Sequence, residues 1–423
     1  MKEYKQRIAD EILTDKLEAK GAVLIQGAKW CGKTTTAVQQ AQSILYMQNP
    51  KEKQQNIRIA EVDPGLLLEG EVPRLIDEWQ IAPQLWDAVR FEVDQRDAFG
   101  QFILTGSSVP ANMDHTSHTG TGRIARMLMR PMSLFESEES NGSVSLHDLF
   151  TQKKIRAQCN IDIHKLAFLT CRGGWPQAIG LNEKPALAQA YDYVDAITES
   201  DISQVDGIVR NPYRAKLLLK VFSRYIGSPG KIAKIRKDMK VNDSDELSEK
   251  TISDYITALK KIFVIEDMPA WNPNLRSKTS IRTSDTRYFV DPSIAVAALR
   301  LGPSDLINDL NTFGFLFENL CIRDLRVFAD AMDGDVFHYR DKSGLECDAV
   351  FHLRNGAYGL IEVKLGGESN IEEGATNLLK LKDKIDTDRM NAPAFLMVLS
   401  GVDRYAYQRK DGVYVVPIGC LKG

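Results

Sequence analysis

The chain has no apolar run approaching the roughly 18–20 residues that cross a bilayer, so no membrane partner is expected. Its six cysteines, Cys31, Cys159, Cys171, Cys321, Cys347 and Cys420, form no Cys-x-x-Cys pair. That argues against a disulfide or zinc framework and for reduced thiols in the cytoplasm. His115 and His118 have a metal-compatible spacing but no third ligand nearby, so a solvated loop is the favoured reading of 111–122. The N-terminal residues 1–7 are charged and lead into no signal-like apolar stretch. A net charge of −3 predicts nothing about partners until it is resolved by region. What remains is an ordinary soluble composition, 43% hydrophobic and 26% charged, spread over 423 residues, enough for two or three domains.

The strongest feature present is Gly27-Ala28-Lys29-Trp30-Cys31-Gly32-Lys33-Thr34, with the spacing G-x-x-x-x-G-K-T. The apolar run 22–25 suits a buried parallel strand, and Gly27 lets the chain leave it sharply. Gly32 allows backbone N–H groups to close on phosphates at a helix N-terminus. Lys33 would neutralise β/γ-phosphate charge, and the hydroxyl of Thr34 would take a Mg²⁺ position, with Thr35 following in the same turn. Trp30 and Cys31 are bulky for loop positions. A helix is expected over 34–46, and alternation over 57–62 suggests a strand.

Leu75-Ile76-Asp77-Glu78-Trp79-Gln80 reads as a second nucleotide signature, a strand delivering Asp77 to hold Mg²⁺ and Glu78 to polarise an attacking water. The alternative is an Asp-Glu pair on a solvated turn. Phe102-Ile103-Leu104-Thr105-Gly106-Ser107 repeats the strand-to-polar-tip pattern. If that strand lies between the other two, Thr105 and Ser107 face the γ-phosphate as a sensor; otherwise this is a Thr-Gly-Ser turn. Arg123 and Arg126 are candidates for an arginine finger, acting in cis or across a homo-oligomer interface.

Residues 141–160 are polar and read as a linker, and 165–205 as helical. The segment 211–290 holds 16 Lys/Arg against 9 Asp/Glu. Within it, 250–263 has the best helical pattern, Ile252, Ile256, Leu259 and Phe263 forming the apolar stripe. Lys250, Ser253, Thr257, Lys260 and Lys261 lie off that stripe, and a hairpin carrying Arg276 and Lys278 follows. Helix, helix and basic hairpin is the order of a winged helix, which serves either DNA or a protein partner.

Beyond residue 310, an apolar helix carries Glu318, where a charged residue needs a reason. A hairpin follows, 345–353 turning at Arg354-Asn355-Gly356 into 357–365. Its alternation projects Asp348 from one strand and Glu362 with Lys364 from the other. That is a PD-(D/E)xK arrangement, in which the carboxylates bind Mg²⁺, the lysine stabilises an attacking hydroxide, and Glu318 is the extra acidic residue from the preceding helix. The alternative is a salt-bridged polar face.

With these motifs in this order, the chain resembles a widespread family of prokaryotic AAA-type ATPases carrying a winged helix and a C-terminal nuclease-like domain of unknown function. The resemblance rests on 27–34, 75–80, 104–108, Gly122-Arg123, 251–263, 289–292, 314–318, 338–348 and 361–364, nearly the whole chain. It implies ATP and Mg²⁺ at the first site. The expected fold is α/β: a P-loop, doubly wound parallel sheet over 1–136, a linker and helical segment over 137–210, a winged helix over 211–300, and a restriction-endonuclease-like domain over 301–423. The expected function is a DNA-associated, Mg²⁺-dependent ATP hydrolase whose C-terminal domain is a candidate metal-dependent nuclease. The alternatives are a nucleotide-dependent switch, its nuclease fold silent, that binds DNA or a protein, and a small-molecule kinase.

Overall fold

The computed structural model describes residues 3–107, 120–240, 247–273 and 283–423. Ser108, His115, His118, Arg276 and Lys278 lie outside the described residues. Two compact units are present. One comprises Met1–Pro131, Glu199–Arg210 and Thr257–Val264; the other comprises Met132–Thr198, Asn211–Ile256 and Ile265–Gly423.

The first unit runs α1 (Ile8–Ala19), β1 (Ala22–Gln26), α2 (Lys33–Gln40), β2 (Ser43–Tyr46), α3 (Lys53–Val62), β3 (Arg74–Asp77), α4 (Gln84–Arg96), β4 (Phe102–Gly106) and β5 (Ile124–Leu128). The strands form one parallel sheet in the order β2-β3-β4-β1-β5. Alternate residues of each strand feed opposite cores. Val23, Ile25, Leu75 and Ile103 pack with Leu13 and Ala37 on one face. Leu24, Ile76 and Leu104 pack with Trp79, Trp86 and Val89 on the other. Burial on both faces explains why the strands read as continuous apolar runs.

β4 lies between β1 and β3, with Thr105 in register with Asp77 and Gly106 with Gln26. The P-loop, Asp77 and Thr105 therefore share the C-terminal edge of the sheet, where ligands bind in open α/β folds. Two local readings are corrected. The helix after the P-loop stops at Gln40, and 43–46 is strand β2. Residues 57–62 belong to helix α3, which buries Asn56 and Ala60, four apart, so the helical period overrides the short alternation.

The second unit opens with β6 (Val144–Ser145), α5 (Leu146–Phe150), β7 (Ala157–Gln158), α6 (Ile163–Arg172) and α7 (Glu183–Ala196). Residues 141–160 are thus no linker, because β7 pairs with β12 (Tyr405–Gln408) and β6 with β14 (Leu421–Lys422). The one-turn α8 (Ile202–Gln204) belongs to the first unit. Then come α9 (Pro212–Phe222), α10 (Ile232–Lys240) and α11 (Glu249–Lys261), the last of which belongs to the first unit from Thr257 onward, followed by antiparallel bridges joining Ile265 to Phe289 and Met268 to Thr286.

After α12 (Pro292–Leu299), capped by Asp291, and α13 (Pro303–Asn308), the 22-residue α14 (Leu310–Ala331) leads into a sheet. β8 (Gly334–Arg340), β9 (Glu346–Leu353) and β10 (Tyr358–Lys364) are antiparallel. α15 (Glu368–Lys384) then crosses to β11 (Phe395–Ser400), parallel to β10, and β13 (Tyr414–Pro417) follows in parallel. Val350, Leu360, Val398 and Val415 of this sheet pack on Ile371, Ala375, Leu378 and Leu381 of α15.

Candidate functional site

The loop after β1 is built for close backbone approach. Gly27 has φ of 150°, and a Cβ there would sit 2.1 Å from the carbonyl oxygen of Met129, so only glycine fits. Cys31 turns inward and its thiol donates to the same carbonyl at 3.3 Å. Buried Arg7 donates to the carbonyls of Cys31 and Arg130, each at 2.9 Å. Trp30, by contrast, adopts a left-handed φ of 66° and turns its indole outward.

Lys33 opens α2, which no side chain caps, so the first-turn N–H groups are presented toward the loop. The ammonium of Lys33 is buried and donates to the carbonyls of Gly27 (3.0 Å) and Ala28 (2.8 Å). Thr35 of the same turn is exposed. Lys29 leaves the loop to pair with Asp201 at 2.6 Å.

The neighbouring strands converge on one carboxylate. Asp77 Oδ1 accepts the hydroxyls of Thr34 (2.6 Å) and Thr105 (2.7 Å), and Oδ2 accepts the Gln48 amide at 3.3 Å. Glu78 turns away from the strand with φ of 57°, and its backbone N–H donates to Thr105. Its carboxylate accepts Ser107 Oγ at 3.3 Å and the Gln80 amide. The oxygens of Thr34 and Asp77 are the hard donors that Mg²⁺ prefers. Arg7, Gln48, Gln80 and Asp201 were not singled out from sequence. Gln80 lay within the recognised stretch without a role, and Asp201 carries no local signal.

Arg123 lies at the other end of the sheet. Its carbonyl accepts the N–H of Ala22, the first residue of β1, and its guanidinium pairs with Asp94 at 2.7 Å. Arg126 stacks over the Trp86 ring, 5.4 Å from its centre. Neither is brought to the loop of its own chain.

In the second unit, a cleft of about 700 Å³ is lined by Asp348, Glu362 and Lys364 together with Ser343, Glu346 and Lys384. Asp348 accepts the Val363 N–H at 2.8 Å, and Lys364 pairs with buried Glu362 at 3.2 Å. Gly374 of α15 lets the helix approach closely, since a Cβ there would lie 3.3 Å from both Glu362 and Lys364. Burial raises the Asp348 carboxyl against the pull of the Val363 N–H and Lys364. Burial and the adjacent Asp348 push Glu362 well above the usual carboxylate range. Burial also works against charge on Lys364, but Glu362 and Asp348 outweigh it and raise its pKa.

Glu318 is placed differently. Its carboxylate accepts the Tyr288 hydroxyl and packs against Gly227; it is not part of the cleft wall. Burial and then Asp348 push it up to about 8, with Tyr288 and Lys364 opposing. Beside it, Asn319 clamps the backbone of Phe289 through both N–H (3.1 Å) and C=O (2.8 Å). Among the described residues no group of three or more His, Cys, Asp or Glu side chains is arranged to hold a metal ion.

On α11, Lys250, Thr257 and Lys260 are exposed, Ser253 and Lys261 half-buried, and Ile252, Ile256 and Leu259 buried. Phe263 lies beyond the helix end and is only partly buried.

Residues 19–138 match a family model described as an AAA domain. Residues 163–305 and 313–421 match two models described as domains of unknown function, DUF8612 and DUF4143. No curated protein matches the chain. Among solved structures, the chain is similar to the Walker-type ATPase PABY2304 of Pyrococcus abyssi, with 14% identity over 68% of this chain and 94% of that one, at a TM-score of 0.42. The AAA-domain match falls on the segment carrying the loop, Asp77 and Thr105, and supports a P-loop ATPase module there.

Proposed function

We propose that the chain is a Mg²⁺-dependent ATP hydrolase that acts in association with DNA. The observation that carries the hydrolase reading is Asp77 Oδ1, which gathers the hydroxyls of Thr34 and Thr105 at 2.6 and 2.7 Å beside Glu78. Thr34 and Asp77 would hold Mg²⁺, which supplies charge neutralisation on the phosphate oxygens. Lys33 exchanges two loop carbonyls for phosphate oxygens, and the first-turn N–H groups of α2 bind the same anion. Glu78 polarises the attacking water, oriented by Ser107 and Gln80. An arginine finger from Arg123 or Arg126 would come from a second copy of the chain, because neither reaches the loop of its own. Lys33→Ala is expected to abolish phosphate release from ATP; turnover at the wild-type rate would overturn the assignment.

The DNA reading treats 211–300 as a winged helix, with α11 the recognition helix and Lys250, Ser253, Thr257, Lys260 and Lys261 as contacts. It treats 301–423 as a PD-(D/E)xK nuclease-like domain in which Asp348 and Glu362 would hold the metal and Lys364 would stabilise hydroxide. Its support is the helix–strand–strand–strand–helix–strand order that sets these three residues in one cleft. Asp348→Ala should then remove Mg²⁺- or Mn²⁺-dependent cleavage of DNA. The second reading is a nucleotide-dependent switch with a silent nuclease fold. It is favoured by Glu318, whose carboxylate is engaged by Tyr288 outside the cleft wall. Absence of any cleavage by the wild-type chain, with ATP turnover intact, would select it.

A further inference from the structure

The contact between Lys29 and Asp201 joins the phosphate loop to a residue 172 positions later in the chain. Both partners lie in the first unit, Asp201 through the separate segment Glu199–Arg210. Their burial is unequal: the Lys29 side chain is 42% exposed and that of Asp201 only 8%. Asp201 Oδ1 also accepts the Ser200 hydroxyl at 3.2 Å. It closes a π-helical turn, Ile197–Asp201, from which the chain enters α8. The far end of the segment is braced by Arg210, which donates to both carboxylate oxygens of Asp206 and to the carbonyl of Ile202.

From this geometry we infer that Asp201 is a positioning residue for Lys29, and that a nucleoside triphosphate in the loop competes with it for the lysine. The inference rests on the nucleotide reading of the loop. Lys29 is the exposed, flexible partner, so it can turn from a single carboxylate toward a polyphosphate of higher charge. Asp201 cannot follow into solvent without moving the backbone of its segment. Losing Lys29 leaves a nearly buried carboxylate with a serine hydroxyl in place of a cation, and uncompensated buried charge is costly. Nucleotide binding therefore loosens Glu199–Arg210, and the strength of the Lys29–Asp201 pair sets how tightly triphosphate is held.

The test uses the full chain, a fluorescent non-hydrolysable ATP analogue with Mg²⁺, and hydrogen exchange over 199–210. Asp201→Asn should tighten analogue binding about fivefold, since the amide no longer competes as an anion. In that variant, exchange over 199–210 should be high and insensitive to nucleotide, whereas in the wild type it should rise on binding. Asp201→Glu should restore the wild-type affinity and the nucleotide response, which a merely structural role for Asp201 would not require. Lys29→Gln should weaken analogue binding. An Asp201→Asn chain that melts like the wild type, binds the analogue equally and keeps a nucleotide-dependent exchange pattern would overturn the inference while leaving the ATP site standing. A wild-type chain that binds no analogue would overturn both.

Discussion

The two acidic sites of this chain treat their carboxylates in opposite ways. At the sheet edge of the first unit, each acid is met by donors: Asp77 takes two hydroxyls and an amide, Glu78 a hydroxyl and an amide. The cation of that site, Lys33, rests on loop carbonyls. In the second unit, burial raises Asp348, Glu362 and Glu318, Asp348 adds to the shift of both glutamates, and Lys364 opposes it in all three. At the first site hydrogen-bond donors surround the acids; in the second unit burial disfavours their charged form, and a divalent cation there would favour it.

The largest expected break in this contrast is Glu78→Gln. It should keep analogue binding but lower ATP turnover on the order of 100-fold, because the water loses its base while the phosphate contacts remain. A parallel loss of binding would show that Glu78 shapes the loop instead. Next, Asp348→Asn should weaken Mn²⁺ binding about tenfold or more by titration calorimetry. Equal heats in both chains, or none in either, would reduce the cluster to a polar face.

The smallest effect is on pH dependence, where the two signs of shift within the second unit can be set against each other. Glu318 is raised from 4.5 to about 8, so its folded state holds the proton more tightly. The resulting stability is present below 4.5 and lost as pH rises through about 8. Asp341, fully buried against Lys384 at 2.8 Å, runs the other way. Burial would raise it, but Lys384 and Ser343 hold it down at about 2. Its stability is present above 3.8 and lost as pH falls through about 2. Chemical denaturation should show a loss of stability at high pH that Glu318→Gln removes, and one at low pH that Asp341→Asn removes.

Much of the first site was legible because its chemistry depends on spacing along single strands and loops. Gly27 to Thr34, Asp77 and Thr105 each sit at the end of an apolar run, and parallel pairing brings those ends together. The hairpin of the second unit was legible for the same reason, through alternation about the Asn355-Gly356 turn. In helix α3, Ile57 and Ile59 mimic a strand over too few residues for period to decide. The edge strands β6 and β7 have two residues each, too short to leave a pattern, and their partners lie near the far end of the chain. Asp201 and Tyr288 were out of reach because their partners, Lys29 and Glu318, are distant in sequence.

The missing side chain at Gly27 has a mechanical consequence. The Met129 carbonyl lies where a Gly27 side chain would be, and hydrogen bonds from Cys31 and Arg7 tie the loop to the exit of β5. Any side chain placed at Gly27 would have to displace the backbone at residue 129 along with the loop itself.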